Sequence, residues 1–141
     1  MKFTIKLFLL LNIVIVLSES AMAWDFVVSR GGATVYLDKS SIRRDGEIIQ
    51  AISVSSFDKP TNIKYYGNYI GVQSITSLTS FDCLSKQFFV QESIWYSGPI
   101  AGGQAYKTTK NKNPWWIKPE TKLYQGNLNV DVMKVVCNYN F

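Results

Sequence analysis

Residues 107–122 combine lysines with two adjacent tryptophans in the segment KTTKNKNPWWIKPETK. Lysines can bind acidic protein segments or sulfated polysaccharides, and an exposed tryptophan is a common anchor at protein interfaces. A docking surface is therefore one interpretation of this pattern. The alternative is a solvated loop in which the lysines protect the last strand against pairing and one tryptophan packs into the core. Because adjacent residues of an extended chain point to opposite sides, we expect one tryptophan to be exposed in either case. The candidate binding residues are Lys107, Lys110, Lys112, Trp115, Trp116 and Lys118.

A second aromatic and basic cluster comprises Lys64, Tyr65 and Tyr66, with Tyr69 close behind. Tyrosine is favoured at recognition surfaces because it offers a large contact area at a low cost in conformational entropy. Tyrosines also commonly cover the edge of a sheet. The cluster is therefore a second candidate binding site, with an edge-covering role as its alternative.

Catalytic chemistry finds little support in the sequence. The chain has no histidine, so it can form neither a Ser-His-Asp triad nor a Cys-His pair, and it has no histidine ligand for a metal. Gly102-Gly103 lacks the Lys-Ser/Thr that completes a phosphate loop. The carboxylates show no pairing typical of a hydrolase, and Asp82 alone lies beside a cysteine. We expect a non-enzymatic protein with no cofactor and no metal.

The N-terminus has the layout of a secretory signal peptide. Lys2 and Lys6 precede an apolar run over residues 7–17, and Ala21-Met22-Ala23 forms a cleavage site. The predicted signal peptide is residues 1–23, and residues 24–141 form one domain without a membrane-spanning segment. No cysteine lies near the cleavage site, so no lipid anchor is expected. The protein is predicted to be exported to the periplasm, the cell surface or the medium.

The net charge of +5 is mild. It permits acidic partners but does not indicate nucleic acid. The two cysteines are Cys83 and Cys137. In an oxidising compartment such a pair is typically joined as a disulfide, and free thiols or a metal site are the alternatives.

Alternation of apolar and polar residues predicts about six strands, and the short connections favour antiparallel pairing. The predicted strands are residues 24–30, 33–38, 47–57, 72–83, 86–96 and 104–110. Residues 39–46 are predicted as a turn and residues 58–69 as a loop. Ile75 and Leu78 depart from a period of two, which indicates a bulge or a slip.

The C-terminal segment has a different period. Leu128, Val132 and Val136 recur at four-residue steps, as do Met133 and Cys137. This spacing predicts a helix whose inner face carries the cysteine, although the valine content favours a strand as the alternative. The sequence therefore predicts a single α+β domain.

Several segments resemble the bacterial surface-adhesin protein E family. They occur in the family's order at residues 35–46 (VYLDKSSIRRDG), 81–83 (FDC), 96–103 (YSGPIAGG), 115–122 (WWIKPETK) and 135–137 (VVC). The resemblance implies a single antiparallel sheet of about six strands with a C-terminal helix on its concave face. It also implies that a disulfide between Cys83 and Cys137 ties the helix to the sheet.

The resemblance further implies a role in cell adhesion and virulence. Characterised members of the family bind host extracellular-matrix and serum proteins such as vitronectin, laminin and plasminogen, and they include homodimers. The chain departs from the family's best-known adhesin because it lacks the cysteine for lipid attachment. The alternative function is therefore that of a periplasmic structural or envelope-associated protein without a host ligand.

Overall fold

The computed structural model describes residues 23–118 and 127–141. Most of the predicted signal peptide and Glu120 lie outside these residues. The described part contains six strands and one α-helix: β1 (Trp24–Arg30), β2 (Ala33–Asp45), β3 (Ile48–Tyr65), β4 (Asn68–Asp82), β5 (Gln87–Tyr96), β6 (Ala105–Lys110) and α1 (Leu128–Cys137). The strands form one antiparallel sheet in the order β1-β2-β3-β4-β5-β6. The predicted α+β fold is confirmed.

The turn predicted over residues 39–46 is wrong, because most of this segment belongs to β2. The register between β2 and β3 shifts between Asp38 and Arg43. At this bulge Asp38 Oδ1 accepts hydrogen bonds from the backbone N–H and the hydroxyl of Ser40, at 2.9 and 2.6 Å. Ser41 Oγ donates to the Asp38 carbonyl at 2.6 Å. These local bonds resemble those of a turn, which explains why the sequence pattern misleads.

The loop predicted over residues 58–69 is also wrong. Residues 61–65 of β3 pair with residues 68–72 of β4, and the chain reverses at Tyr66-Gly67 with φ of 46° and 85°. These positive φ angles match a two-residue type I′ turn. Pro60 lies in the register shift between Ser56 and Thr61, where it removes no ladder hydrogen bond. We call residues 61–72 the ribbon.

The predicted bulge lies between β4 and β5. Leu78 pairs with Glu92, whereas Thr79 pairs with Val90, so the extra residue is in β5. The departure from a period of two around Leu78 therefore predicts the correct place in the sheet. The bulged strand, however, is β5 and not β4, which contains Leu78.

The hydrophobic core lies between α1 and one face of the sheet. The helix buries Val132, Met133 and Val136. The sheet contributes the buried side chains of Val35, Leu37, Ile42, Ile49, Ala51, Phe81 and Phe88. The four-residue period therefore predicted the helix and its inner face correctly.

Three interactions fix the position of α1. The side chain of Asn127 caps its N-terminus by accepting a hydrogen bond from Asn129 N at 2.9 Å. Arg30 of β1 forms an ion pair with Asp131. The disulfide between Cys83 and Cys137 joins the end of the helix to the residue that follows β4. The helix is thus attached to the sheet near both of its ends.

The loop between β5 and β6 covers part of the opposite face. Ser74 Oγ donates a hydrogen bond to the Gly98 carbonyl at 2.6 Å and accepts one from Ala101 N at 2.9 Å. Ser56 Oγ accepts a hydrogen bond from Ile100 N at 3.3 Å. Ser56 and Ser74 are both buried. The loop therefore folds back onto the sheet.

We expect replacement of both Cys83 and Cys137 by serine to lower the free energy of unfolding by about 4 kcal/mol. The bridge spans 54 residues of sequence, so its loss returns considerable chain entropy to the unfolded state. Urea denaturation with the oxidised wild type as reference measures this difference. The reduced wild type should match the double variant, and equal stability of oxidised and reduced protein would contradict the prediction.

Candidate protein-binding surface

The segment after β6 is held against β5 by backbone hydrogen bonds at two points. Asn111 N donates to the Gln91 carbonyl at 2.8 Å, and the Asn111 side chain donates to the Val90 carbonyl at 2.7 Å. Further on, Ile117 and Phe88 exchange two backbone hydrogen bonds of 2.8 and 3.1 Å. The residues between Asn111 and Ile117 are therefore held at both ends on a rigid strand.

The two adjacent tryptophans lie in different environments. Trp115 is 79% exposed. Trp116 is half-buried and packs on Phe89 with ring centroids 6.2 Å apart. Phe89 follows the core residue Phe88 in β5 and therefore points to the opposite face of the sheet. The side chain that reaches the core between sheet and helix is that of Ile117, not of a tryptophan.

A small cavity lies beside Trp115. Its volume is about 200 Å³, and it is lined by Phe89, Val90, Asn111, Asn113, Trp115 and Ile117. Pockets that bind small molecules usually measure about 300–1,000 Å³. The cavity is therefore smaller than a typical substrate site, and its apolar walls with two amide groups suit one side chain of a protein ligand.

Exposed lysines accompany the lining residues along the chain. Lys110 precedes Asn111 and lies 3.8 Å from Glu92, with 71% of its side chain exposed. Lys112 and Lys118 are also exposed. Lys107 lies opposite Trp95 in the register of β5 and β6. We call Lys110, Lys112 and Trp115 with the cavity the tryptophan surface.

The cluster at Lys64, Tyr65 and Tyr66 lies at the other end of the sheet. These residues occupy the tip of the ribbon, which continues beyond the pairing of Ser74 with Tyr96. β6 starts opposite Tyr96 and runs away from the ribbon. The structure therefore does not join the two candidate clusters into one site.

The tyrosine rings at the tip contact each other. Tyr65 and Tyr66 have ring centroids 4.5 Å apart in an edge-on arrangement, and Tyr66 is 88% exposed. Loss of hydration, followed in importance by the neighbouring Tyr66, raises the pKa of Tyr65 above its ordinary value of 10.0. Tyr65 is therefore neutral at physiological pH.

Asp82 has a structural environment. Its Oδ1 atom accepts hydrogen bonds from Leu84 N and Ser85 N at 3.0 Å each. The side chain and backbone of Ser85, with a smaller contribution from Leu84, lower the pKa of Asp82 below its ordinary value of 3.8. Asp82 thus stabilises the turn next to the disulfide. Among residues 23–118 and 127–141, no group of three acidic, cysteine or histidine residues is arranged to hold a metal ion.

Residues 24–138 match the family model described as surface-adhesin protein E. The chain belongs to this family. Surface-adhesin membership supports an exported or cell-surface protein with protein ligands. In the part of the chain that the structure describes, no helix has the length and apolar character needed to cross a membrane.

Solved structures of protein E from Haemophilus influenzae share the fold. One, from a non-typeable strain, has a TM-score of 0.55 and 17% sequence identity, and the match covers 85% of this chain and 78% of that chain. A second has a TM-score of 0.50 and 16% identity, with 81% and 83% covered. No curated protein sequence matches the chain. These likenesses support the fold of this surface-adhesin protein E family member.

Five lining residues of the cavity were not predicted from the sequence: Phe89, Val90, Asn111, Asn113 and Ile117. The alternation of β5 identifies Phe89 and Val90 as strand residues but does not show which segment covers them. Asn111 and Asn113 flank Lys112 in the predicted docking segment, residues 107–122. The backbone pairings of Asn111 with Gln91 and of Ile117 with Phe88 reveal that this segment lies against β5.

We expect Asp82→Asn to remove part of the acid sensitivity of the fold. Because the pKa of Asp82 is lowered in the folded state, its ionised form contributes stability above the ordinary value of 3.8. That contribution is lost as the pH falls through the folded-state pKa. The melting temperature of the wild type should therefore exceed that of the variant at about pH 6, and the gap should close towards about pH 2. A constant gap across this range would contradict the prediction.

Proposed function

We propose that the protein is an exported, non-enzymatic adhesin that binds host extracellular-matrix or serum proteins, with vitronectin, laminin and plasminogen as its candidate ligands. The family match supports a surface adhesin with protein ligands. The observation that carries the choice of site is the 79% exposure of Trp115 beside an apolar cavity. The tryptophan surface is therefore the proposed ligand-binding site.

The backbone that carries Trp115 is held in place before a ligand binds. A large exposed side chain normally loses rotational and backbone freedom when it binds, and that loss weakens binding. The segment that carries Trp115 is already tied to β5 at Asn111 and at Ile117. The backbone therefore loses little further freedom when a ligand binds. As a result, the apolar contact of the indole ring contributes more fully to affinity.

The lysines give the surface its preference for acidic ligands. Lys110 lies 3.8 Å from Glu92, which at an exposed position is a weak ion pair of about 0–1 kcal/mol. Its positive charge therefore remains available to a ligand. Lys112 is exposed between two residues that line the cavity. An acidic segment flanking an apolar or aromatic side chain is the ligand chemistry that complements this arrangement.

The cellular location separates this function from a role inside the envelope. We expect protease treatment of intact cells to cleave the mature chain, while a periplasmic control protein stays intact. Antibody labelling of the same cells provides an independent readout. Protection of the chain until the outer membrane is broken would contradict host binding and support a periplasmic, envelope-associated function.

We expect Trp115→Ala to weaken binding to the host ligand by roughly tenfold or more, as for a central anchor residue. Its melting temperature should change little because the side chain is largely exposed. Surface plasmon resonance with immobilised vitronectin, laminin and plasminogen measures the affinities. Lys110→Glu with Lys112→Glu should weaken binding further and reduce its dependence on salt.

Two control variants accompany this measurement. Trp116→Ala removes a half-buried ring from Phe89, so it should lower the melting temperature more than Trp115→Ala does. Lys39→Glu with Lys134→Glu makes the same change in charge at exposed positions of β2 and α1 and should leave affinity nearly unchanged. Full binding by Trp115→Ala would rule out the tryptophan surface as the site.

A further inference from the structure

The ribbon projects beyond the strands on either side of it. β2 pairs with β3 only as far as Ala33 and Phe57, and β5 pairs with β4 only from Ser74 and Tyr96 onwards. Asn68, at the tip, lies six residues beyond Ser74 in β4. At about 3.3 Å per residue the ribbon extends about 20 Å past the end of the pairing between β4 and β5. Within residues 23–118 and 127–141, no strand therefore neighbours residues 61–72 at either edge.

The tight turn determines which backbone groups face outward. Tyr65 and Asn68 flank a two-residue loop, so they exchange hydrogen bonds with each other. Residues two positions along, Ile63 and Ile70, face inward in the same way. The amides of Tyr69 and Gly71 on β4, and of Asn62 and Lys64 on β3, consequently point away from the ribbon. No backbone hydrogen bond ties these four residues to another element in the described ranges.

The two edges differ in their protection against added strands. The β3 edge carries Lys64 and follows Lys59-Pro60, and both lysine and proline block pairing at sheet edges. The β4 edge reads Tyr69-Ile70-Gly71-Val72-Gln73, without a charge or a proline. Val72 is buried, so the exposed part of this edge is formed by residues 69–71.

We propose that residues 69–71 bind an extended segment of a partner protein, which adds to the β4 edge of the ribbon as a third strand. Such strand addition draws affinity from backbone hydrogen bonds and specificity from alternate side chains. This site lies at the opposite end of the sheet from the tryptophan surface and does not depend on the function proposed for that surface.

The side chains of the ribbon specify the chemistry of the added segment. On one face the half-buried Ile63 and Ile70 pair with each other, and they favour apolar residues in the segment. On the other face Lys64 pairs with Tyr69, which is 73% exposed. With Lys59 and Lys64 against the single acid Asp58, the region is basic. The complementary segment therefore alternates apolar residues with acidic or polar ones.

A proline scan of the outward-facing amides tests the inference. Gly71→Pro removes an outward N–H of the β4 edge without removing a bond of the ladder. Asn62→Pro makes the same change on the β3 edge and is the matched control. The probe is a phage-displayed library of random linear twelve-residue peptides, selected on the mature wild-type chain.

We expect the selected peptides to alternate apolar with acidic residues. Binding to Gly71→Pro should fall by roughly tenfold or more, whereas Asn62→Pro and Trp115→Ala should bind as the wild type does. In the complex, the amides of Tyr69 and Gly71 should become protected against hydrogen exchange. Unchanged affinity for Gly71→Pro, or selection of no alternating peptide, would overturn the proposal.

A second measurement avoids any effect of proline on folding. Two versions of the selected peptide are compared, one N-methylated on the odd-numbered amides and the other on the even-numbered amides. Only one of these two sets of amides faces the ribbon, so one version should lose binding and the other should keep it. Equal binding by both versions would reject strand addition. A wild-type dimer that Gly71→Pro converts to a monomer would instead assign the edge to a second copy of the chain.

Discussion

The packing of α1 against one face of the sheet is the interaction on which the rest of the structure depends. Val132, Met133 and Val136 close the core over Phe81 and Phe88, and Ile117 joins this core from the segment that carries Trp115. The same cluster therefore holds the helix and one anchor of the tryptophan surface. Because a domain of this size has a modest core, the disulfide between Cys83 and Cys137 is a substantial part of what keeps the helix in place.

The helix covers only part of the sheet. The rest of the sheet is partly covered by a loop and partly extended by the ribbon. The loop between β5 and β6 folds over the opposite face. There the buried hydroxyl of Ser74 forms hydrogen bonds with the loop backbone at Gly98 and Ala101. In this loop Ile100 and Ala101 have φ of 50° and 58°, a conformation that is costly for residues other than glycine. The ribbon instead extends beyond all neighbouring strands. The domain thus combines a covered sheet with a two-stranded projection whose backbone is accessible.

The sequence predicted the fold well where one face of an element is buried. The four-residue spacing of Val132 and Val136 and the alternation of Val35 and Leu37 in β2 reflect contact with a core. It failed at residues 58–69, since the ribbon is solvated on much of its surface and Pro60 and Gly67 resemble loop residues. The prediction of a turn after Asp38 also failed, because β2 continues there through a bulge that hydrogen bonds from Ser40 to Asp38 stabilise. The position of Asn111 against β5 depends on long-range pairing, which no local pattern encodes.

The two proposed binding surfaces depend on different physical interactions. At the tryptophan surface, affinity would come from one apolar anchor and from the charges of Lys110 and Lys112, so salt would weaken it. At the ribbon, affinity would come from backbone hydrogen bonds, which salt screens far less. Because the surfaces lie at opposite ends of the sheet, occupation of one leaves the other open. A single extracellular protein with a folded domain and an extended acidic segment could therefore engage both, and linkage of the two contacts would raise its overall affinity without any new contact.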